Sequence, residues 1–166
     1  MKHHYKEIPE TPGNTIHDHS RFDLIFLSSS PEIYSKNSMR GSLAGRCHVI
    51  AVAYTSSDLL QEVVHVSKVR NQRPLVVLVE LETMGGFSKG FSYLRVLRES
   101  YPAVVTILLT RKTREHDLSQ YRLPIADVTL RIPFSEDEFD VALYAAVKNN
   151  ILWQSRVEEL RVPQPQ

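Results

Sequence analysis

Five apolar runs of strand length recur along this chain, and the gaps between them are long enough for helices. The most apolar is LVVLVEL at 75–81, and AVVTILLT follows at 103–110. Near-continuous runs of Val, Ile and Leu are typical of parallel strands that are buried on both faces. Because parallel strands need crossover connections, the pattern predicts a parallel sheet with helices on both sides.

The remaining strands are predicted at 22–27, 47–54 and 126–132, and the clear helices at 31–45, 56–69, 88–100 and 135–160. A weak fourth helix is placed within 112–121, although KTREHDLSQY has little apolar face. The last helix opens with a capping box, Ser135 to Glu138. Five strands alternating with helices favour the flavodoxin-like strand order 2-1-3-4-5.

Length and composition fit one globular domain. The chain has 166 residues, with 42% hydrophobic and 23% charged residues. A formal net charge of +1 gives no electrostatic reason to expect nucleic acid as a partner of this domain. No run approaches the roughly 20 apolar residues of a membrane helix. The single cysteine, Cys47, predicts a buried core residue and a cytoplasmic location.

The domain boundaries follow from the same pattern. Residues 1–20 are expected to form a flexible tail, 21–150 the folded domain, and 151–166 a helical extension with a short tail. His17, Asp18 and His19 have the composition of a metal site, but a flexible tail does not hold ligands in place, so no metal is expected. Without a phosphate loop or dinucleotide motif, no cofactor is expected either.

Four strings resemble the receiver domain of response regulators, the CheY-like family. VVLVELETMGG (76–86) resembles the third strand and the loop that carries the phospho-accepting aspartate. YLRVLRESYPAVVTILLT (93–110) resembles the third helix and the fourth strand. ADVTLRIPFSEDEFDVAL (126–143) resembles the fifth strand, the Lys-Pro turn and the start of the last helix, and FLSSSPEIY (26–34) the end of the first strand.

The resemblance implies a site whose chemistry is mostly missing. The phospho-acceptor falls on Glu80, the acidic metal-binding pair on Ser28 and Ser29, the conserved hydroxyl on Thr110, and the phosphate-pairing lysine on Ile132. Phosphoryl transfer needs carboxylates to hold Mg²⁺ and cations for the phosphoryl oxygens. The resemblance therefore implies a pseudo-receiver, a phosphorylation-independent interaction module of a bacterial-type signalling pathway rather than an enzyme.

Two alternatives stay open at the level of sequence. The chain could be an atypical receiver that still accepts phosphate at or near Glu80, or a small flavodoxin-like nucleotide-binding protein or enzyme. The same residues also have structural interpretations: Thr110 as a strand end, Ser28 and Ser29 as a turn, and Ile132 as core filling.

Two surfaces are predicted to bind partners. The last helix is longer than an α/β domain needs, and it carries a stripe of Ala146, Asn150, Trp153, Val157 and Leu160. The expectation is that Trp153 lies outside the body and that the stripe forms a homodimer or docks a signalling partner or a fused effector domain. Folding back on the same domain is the alternative. The second surface is a basic patch of Arg111, Lys112, Arg114 and Arg131, which is interpreted either as a solvated surface or as a docking site for an acidic protein face or an acidic ligand.

Overall fold

A computed structural model describes residues 22–29, 43, 47–69 and 73–161. The strands are β1 (Phe22–Leu27), β2 (Cys47–Ala53), β3 (Leu75–Glu80), β4 (Val105–Thr110) and β5 (Val128–Arg131). The helices are α1 (Ser56–Val69), α2 (Phe87–Ser100) and α3 (Glu136–Arg161), and a 3-10 turn covers Leu81–Met84. None of the described helices is long and apolar enough to cross a membrane.

All five strands form one parallel sheet in the order β2-β1-β3-β4-β5. This confirms the predicted flavodoxin-like order. Successive side chains of a strand point to opposite faces of the sheet, so each central strand contributes residues to the hydrophobic cores on both faces. On β1, Leu24 and Phe26 face the side covered by α3, whereas Ile25 and Leu27 face the side covered by α1 and α2.

The predicted first helix, 31–45, lies outside the described residues except for Leu43, which is helical and buried against the α3 side. The predicted tails, 1–20 and 162–166, also lie outside them. Cys47 is buried at the start of β2, as expected, and carries a free thiol.

The predicted fourth helix within 112–121 is wrong. This segment runs irregularly beside β5 and forms one antiparallel bridge with it, in which Asp117 and Thr129 exchange two backbone hydrogen bonds of 2.8 Å. Asp117 also accepts hydrogen bonds from the backbone and the hydroxyl of Ser119, at 3.0 and 2.5 Å. Short polar side chains that bond nearby backbone compete with helix formation, and few apolar residues here favour a helix.

The capping box at the start of α3 is confirmed. The Ser135 amide donates to the Glu138 carboxylate at 2.6 Å, and the Glu138 amide donates to the Ser135 hydroxyl at 3.2 Å. From there α3 continues unbroken to Arg161, across the predicted boundary at residue 150. The helix therefore belongs to the folded body over most of its length.

The expectation that Trp153 lies outside the body is wrong. Its side chain is 5% exposed, and with Val157 and Leu123 it forms a small apolar cluster. The indole Nε1–H donates to the Arg98 carbonyl at 3.2 Å, and the Arg98 guanidinium lies 5.1 Å from the ring centroid. The alternative of folding back is the correct one, because α2 and the turn at 121–125 supply the surface that covers the stripe.

Two further members of the stripe are buried in the same way. Ala146 is fully buried under the sheet. Asn150 donates to the carbonyls of Pro102 and Val104 at 3.0 and 3.1 Å. Only Leu160, at 83% exposed, could contact another chain. The stripe is thus an internal contact of the domain.

Candidate functional site

The carboxyl ends of β1, β3 and β4 bring together three of the residues that the sequence singled out. Ser28 follows β1, Glu80 ends β3 and Thr110 ends β4. In an open parallel sheet, this edge is where ligands and catalytic groups collect. All three residues are at most 2% exposed, so their polar atoms need partners within the protein.

Glu80 is the centre of this pocket, and both of its carboxylate oxygens have partners. Oε1 accepts a hydrogen bond from the Arg111 guanidinium at 2.9 Å. Oε2 accepts one from the Ser28 hydroxyl at 2.5 Å and lies 3.2 Å from the Thr83 hydroxyl. A buried carboxylate is tolerated when it is paired and hydrogen-bonded in this way. Both carboxylate oxygens of Glu80 are therefore occupied by donors from within the protein.

The second predicted serine, Ser29, lies at the rim. Its amide donates to the Thr83 hydroxyl at 2.9 Å, and its own hydroxyl is 3.2 Å from the same oxygen. Thr83, in the 3-10 turn after β3, thereby joins the end of β1 to Glu80. Glycines close that turn: Gly85 and Gly86 have φ values of 77° and 88°, a conformation that residues with a Cβ adopt at a cost.

Thr110 bonds a second carboxylate, which the sequence did not single out. Its hydroxyl donates to Glu82 Oε1 at 2.7 Å, and the Arg111 amide donates to the same oxygen at 3.1 Å. Partial burial raises the pKa of Glu82, but the bonds from Thr110 and Arg111 outweigh burial and leave that pKa below its ordinary value. Glu82 is thus held as a carboxylate.

Glu82 Oε2 is buried and has no hydrogen-bond partner among the described residues. The nearby cation, Arg111, is directed to Glu80 instead. The two carboxylates consequently divide the donors of the pocket. Glu80 takes the guanidinium and the hydroxyls of Ser28 and Thr83, and Glu82 takes the hydroxyl of Thr110 and a backbone amide.

Ile132 does not contribute a polar group to the pocket. Its side chain is partly buried against the core on the α3 side, and its amide donates to the Thr110 carbonyl at 2.9 Å. The peptide bond between Ile132 and Pro133 is cis. The cation of the pocket comes from Arg111, the residue immediately after Thr110, which the sequence had placed in a surface patch.

The pocket is poorly equipped to hold a metal. No group of three or more His, Cys, Asp or Glu side chains is arranged around a possible ion in the part of the chain that the structure describes. Mg²⁺ prefers carboxylate oxygens, and the end of β1 offers the neutral hydroxyls of Ser28 and Ser29. The anionic Glu80 is already neutralised by Arg111.

The predicted basic patch is partly used inside the molecule. The Arg111 side chain is half exposed, and its guanidinium pairs with Glu80. The Arg131 guanidinium donates to the Arg114 carbonyl at 3.2 Å, which fixes the loop after β4 against β5. Lys112 and Arg114 have exposed side chains. Two of the four predicted cations, Arg111 and Arg131, are therefore bonded within the domain.

The exposed face of α3 presents a different apolar stripe from the predicted one. Its large apolar side chains with substantial exposure are Val141, Tyr144, Ile151 and Leu152, at 57%, 70%, 59% and 41%. Between this face and the chain at 118–120 lies a groove of about 420 Å³, to which Leu118, Lys148 and Asn149 contribute. The sequence signal was available in the spacing of 141, 144, 148 and 151, which is that of a heptad.

Comparison with solved structures supports the fold independently of the sequence. A pilus assembly-related protein of Burkholderia pseudomallei matches with a TM-score of 0.58 and 15% identity, over 79% of this chain and 92% of that one. A pilus assembly protein of Burkholderia thailandensis gives 0.56 and 14%, over 76% and 98%. A response regulator receiver domain of Clostridium thermocellum gives 0.52 and 19%, over 78% and 97%.

The sequence itself matches no family model and no curated protein. At identities of 14–19%, the structural matches establish the architecture and leave the chemistry to the residues of the site. The chain has the fold of a response regulator receiver domain.

Proposed function

We propose that this chain is a phosphorylation-independent pseudo-receiver that acts as a protein-interaction module in a signalling or regulatory pathway. The observation that carries the proposal is that both carboxylate oxygens of Glu80 are already hydrogen-bonded. Both of its oxygens are hydrogen-bonded, one to Arg111 at 2.9 Å and the other to Ser28 at 2.5 Å. A nucleophilic carboxylate needs an unoccupied oxygen aligned with the phosphorus, beside a metal ion.

The charges of the pocket support the same proposal. An incoming phosphoryl group would need the Thr110 hydroxyl as a donor. That hydroxyl already donates to Glu82 Oε1 at 2.7 Å, so the phosphoryl group would also lie against the Glu82 carboxylate. It would also compete with Glu80 for the guanidinium of Arg111. Arg111 would have to leave Glu80 to offset the repulsion between the phosphoryl group and Glu82. The pocket is therefore a fixed structural element, and signalling by this domain depends on surfaces.

The test is a titration of the protein with Mg²⁺ and beryllofluoride, followed by NMR of the backbone amides. We expect the amide shifts around Glu80 and Thr110 to stay unchanged at millimolar beryllofluoride. A saturable shift that requires Mg²⁺ would contradict the proposal and would favour an atypical receiver instead. A variant with Ser28→Asp, Ser29→Asp, Glu80→Asp and Ile132→Lys, which restores the family's residues, is the positive control.

The proposed interaction surface is the exposed face of α3. Val141, Tyr144 and Ile151 recur with spacings of three and seven residues, so they lie on one side of the helix. Exposed stripes of this kind, with an aromatic residue at the centre, are suited to packing against a second helix. We propose that the occupant is a second copy of this chain, because a two-fold symmetric pair of these helices would cover the stripes of both copies at once.

Sedimentation or light scattering tests this surface. We expect a dimer at high micromolar concentration, and Tyr144→Ser with Ile151→Ser should give monomers with an unchanged circular dichroism spectrum. Leu160→Ser is the matched control, because Leu160 is more exposed but lies off the stripe. A monomeric unaltered protein would contradict self-association, and loss of the dimer in the control would move the interface to the end of the helix.

A further inference from the structure

His116 occupies an unusual place between the irregular segment after β4, the edge of β5 and the start of α3. Its Nδ1 accepts a hydrogen bond from the Arg131 backbone amide at 3.0 Å. Its Nε2 lies 3.1 Å from Glu138 Oε1. The ring is about three-quarters buried, with a side-chain exposure of 25%. One imidazole thus joins three elements.

The imidazole takes over a position of the strand ladder. Asp117 and Thr129 form an antiparallel pair with both backbone hydrogen bonds, so the next such pair would join residues 115 and 131. The Arg131 amide bonds the His116 ring instead of a carbonyl at residue 115. The edge of β5 is therefore covered over this stretch by one backbone bridge and one histidine side chain.

The partners fix the tautomer of the neutral ring. A backbone N–H can only donate, so Nδ1 must present its lone pair to Arg131. The proton of the neutral ring is then on Nε2, where it is donated to Glu138. If the ring took up a second proton, Nδ1–H would point at the Arg131 N–H, and the bond between them would become a repulsion. A protonated His116 cannot keep both contacts.

We propose that His116 is a pH-sensitive latch that holds residues 112–117 against the edge of β5 when neutral and releases them when protonated. This inference goes beyond the proposed function and does not depend on it. Histidine is the side chain that ordinarily changes charge between pH 5 and 8. Release would leave the outer edge of β5 unpaired at Thr129 and Arg131, and free strand edges are sites for pairing with other chains.

The surrounding charges define where the latch acts. Glu138 faces the ring from α3, with Glu136 and Asp137 beside it at the start of that helix. Arg131 lies on β5 and bonds the Arg114 carbonyl, and Glu115 and Asp117 are the sequence neighbours of His116. Arg122 lies 3.1 Å from the Asp117 carboxylate and donates to the Thr129 hydroxyl at 3.3 Å.

The Ser135 amide and the His116 ring lower the pKa of Glu138 to about 2, so that carboxylate keeps its charge throughout the range in which histidine titrates. The release of residues 112–117 should stop at Leu118. The Asn149 side-chain amide, which does not titrate, donates to the Leu118 carbonyl at 3.2 Å.

Amide hydrogen exchange measured by NMR tests the latch. Between pH 7.5 and 5.5, we expect the protection of the Asp117 and Arg131 amides to fall about five- to tenfold after correction for intrinsic exchange, the effect of losing one ordinary hydrogen bond. The amide of Leu108 in the centre of the sheet should not change. Long-range proton–nitrogen correlations at pH 7.5 should place the ring proton on Nε2.

Two variants separate the latch from general acid effects. His116→Asn keeps an acceptor near the Nδ1 position but cannot titrate, so its protection should be independent of pH. His65→Asn, on the exposed face of α1, should behave like the unaltered protein. The proposal is overturned if His116→Asn keeps the pH dependence, if protection at Arg131 does not change while the ring titrates, or if the proton is found on Nδ1. If His116→Asn does not fold, the position of the ring proton in the unaltered protein tests the proposal.

Discussion

The buried ion pair between Arg98 and Asp127 gives the most quantitative prediction. Both side chains are fully buried, and two hydrogen bonds join them, Nη1 to Oδ2 at 2.8 Å and Nη2 to Oδ1 at 2.6 Å. Arg98 also donates to the Leu123 carbonyl at 2.8 Å and lies beneath the Trp153 ring. The pair therefore ties α2 to the start of β5 and to the far half of α3.

We expect Arg98→Met to lower the free energy of unfolding by about 3–5 kcal/mol, because it leaves a buried carboxylate without its counter-ion. The remaining donors to Asp127 are the Thr106 amide at 2.7 Å and Asn150 at 3.3 Å. For a domain of this size, the loss corresponds to a fall in Tm of about 6–20 °C. Thermal and urea unfolding monitored by circular dichroism would measure it.

The pH dependence and a second substitution check the cause. Burial raises the pKa of Asp127 despite Arg98 and the other donors. A carboxyl whose folded pKa is above its unfolded value is stabilised by protonation, so the stability of Arg98→Met should rise as the pH falls through that folded pKa towards the unfolded value of about 3.9. Adding Asp127→Asn should recover a large part of the loss at pH 7. A cost of less than 1 kcal/mol for Arg98→Met, or no recovery from Asp127→Asn, would refute this reasoning.

Two further predictions concern α3. Trp153→Ala should cost about 3–5 kcal/mol, because the indole fills a closed cluster, whereas Leu160→Ala should change stability by less than about 0.5 kcal/mol; chemical denaturation compares the two. At the other end, Glu138→Ala should lower Tm at pH 7. The folded pKa of Glu138, about 2, is below the ordinary value of about 4.3, so the stability it contributes is present above pH 4.3 and is lost towards pH 2. The difference in Tm between the variant and the unaltered protein should therefore shrink over that range.

The sheet could be predicted from the sequence because its signals are local and repeated. Runs such as 75–81 indicate buried parallel strands, and five such strands alternating with helices favour the order 2-1-3-4-5. The prediction of a helix within 112–121 is wrong because it follows from the alternation of the other predicted strands with helices. The segment's own residues argue otherwise: Asp117 and Ser119 bond each other and the nearby backbone, and Leu118 is its lone aliphatic residue.

The role of α3 could not be read from spacing alone. A stripe that includes Trp153 and Val157 looks the same whether another chain or the same domain covers it. What decides is the position of Arg98 and Leu123, 55 and 30 residues earlier than Trp153, which only the fold brings beneath the indole. The exposed stripe of Val141, Tyr144 and Ile151 is less apolar than the stripe of Trp153 and Val157, so the sequence did not single it out.

The candidate site was predicted in part. Glu80, Ser28 and Thr110 do converge at the carboxyl edge of the sheet, since parallel strands place their ends together. Glu82 was missed and Arg111 was placed in a surface patch, because neither stands on a position that the family resemblance defines: Glu82 lies two residues after Glu80, and Arg111 follows Thr110. Their roles depend on side-chain direction: Arg111 turns inward to Glu80, and Glu82 turns back to Thr110.

The most direct test of the central claim is the intact mass of the protein after incubation with acetyl phosphate and Mg²⁺. The account predicts no added phosphoryl group on the unaltered protein, because Glu80 is bound to Arg111 and Ser28 and no acidic pair holds the metal. The restored variant with Ser28→Asp, Ser29→Asp, Glu80→Asp and Ile132→Lys, treated in parallel, shows that the assay detects phosphorylation. A stoichiometric, Mg²⁺-dependent phosphoryl group on Glu80 or Thr110 of the unaltered protein would contradict the account.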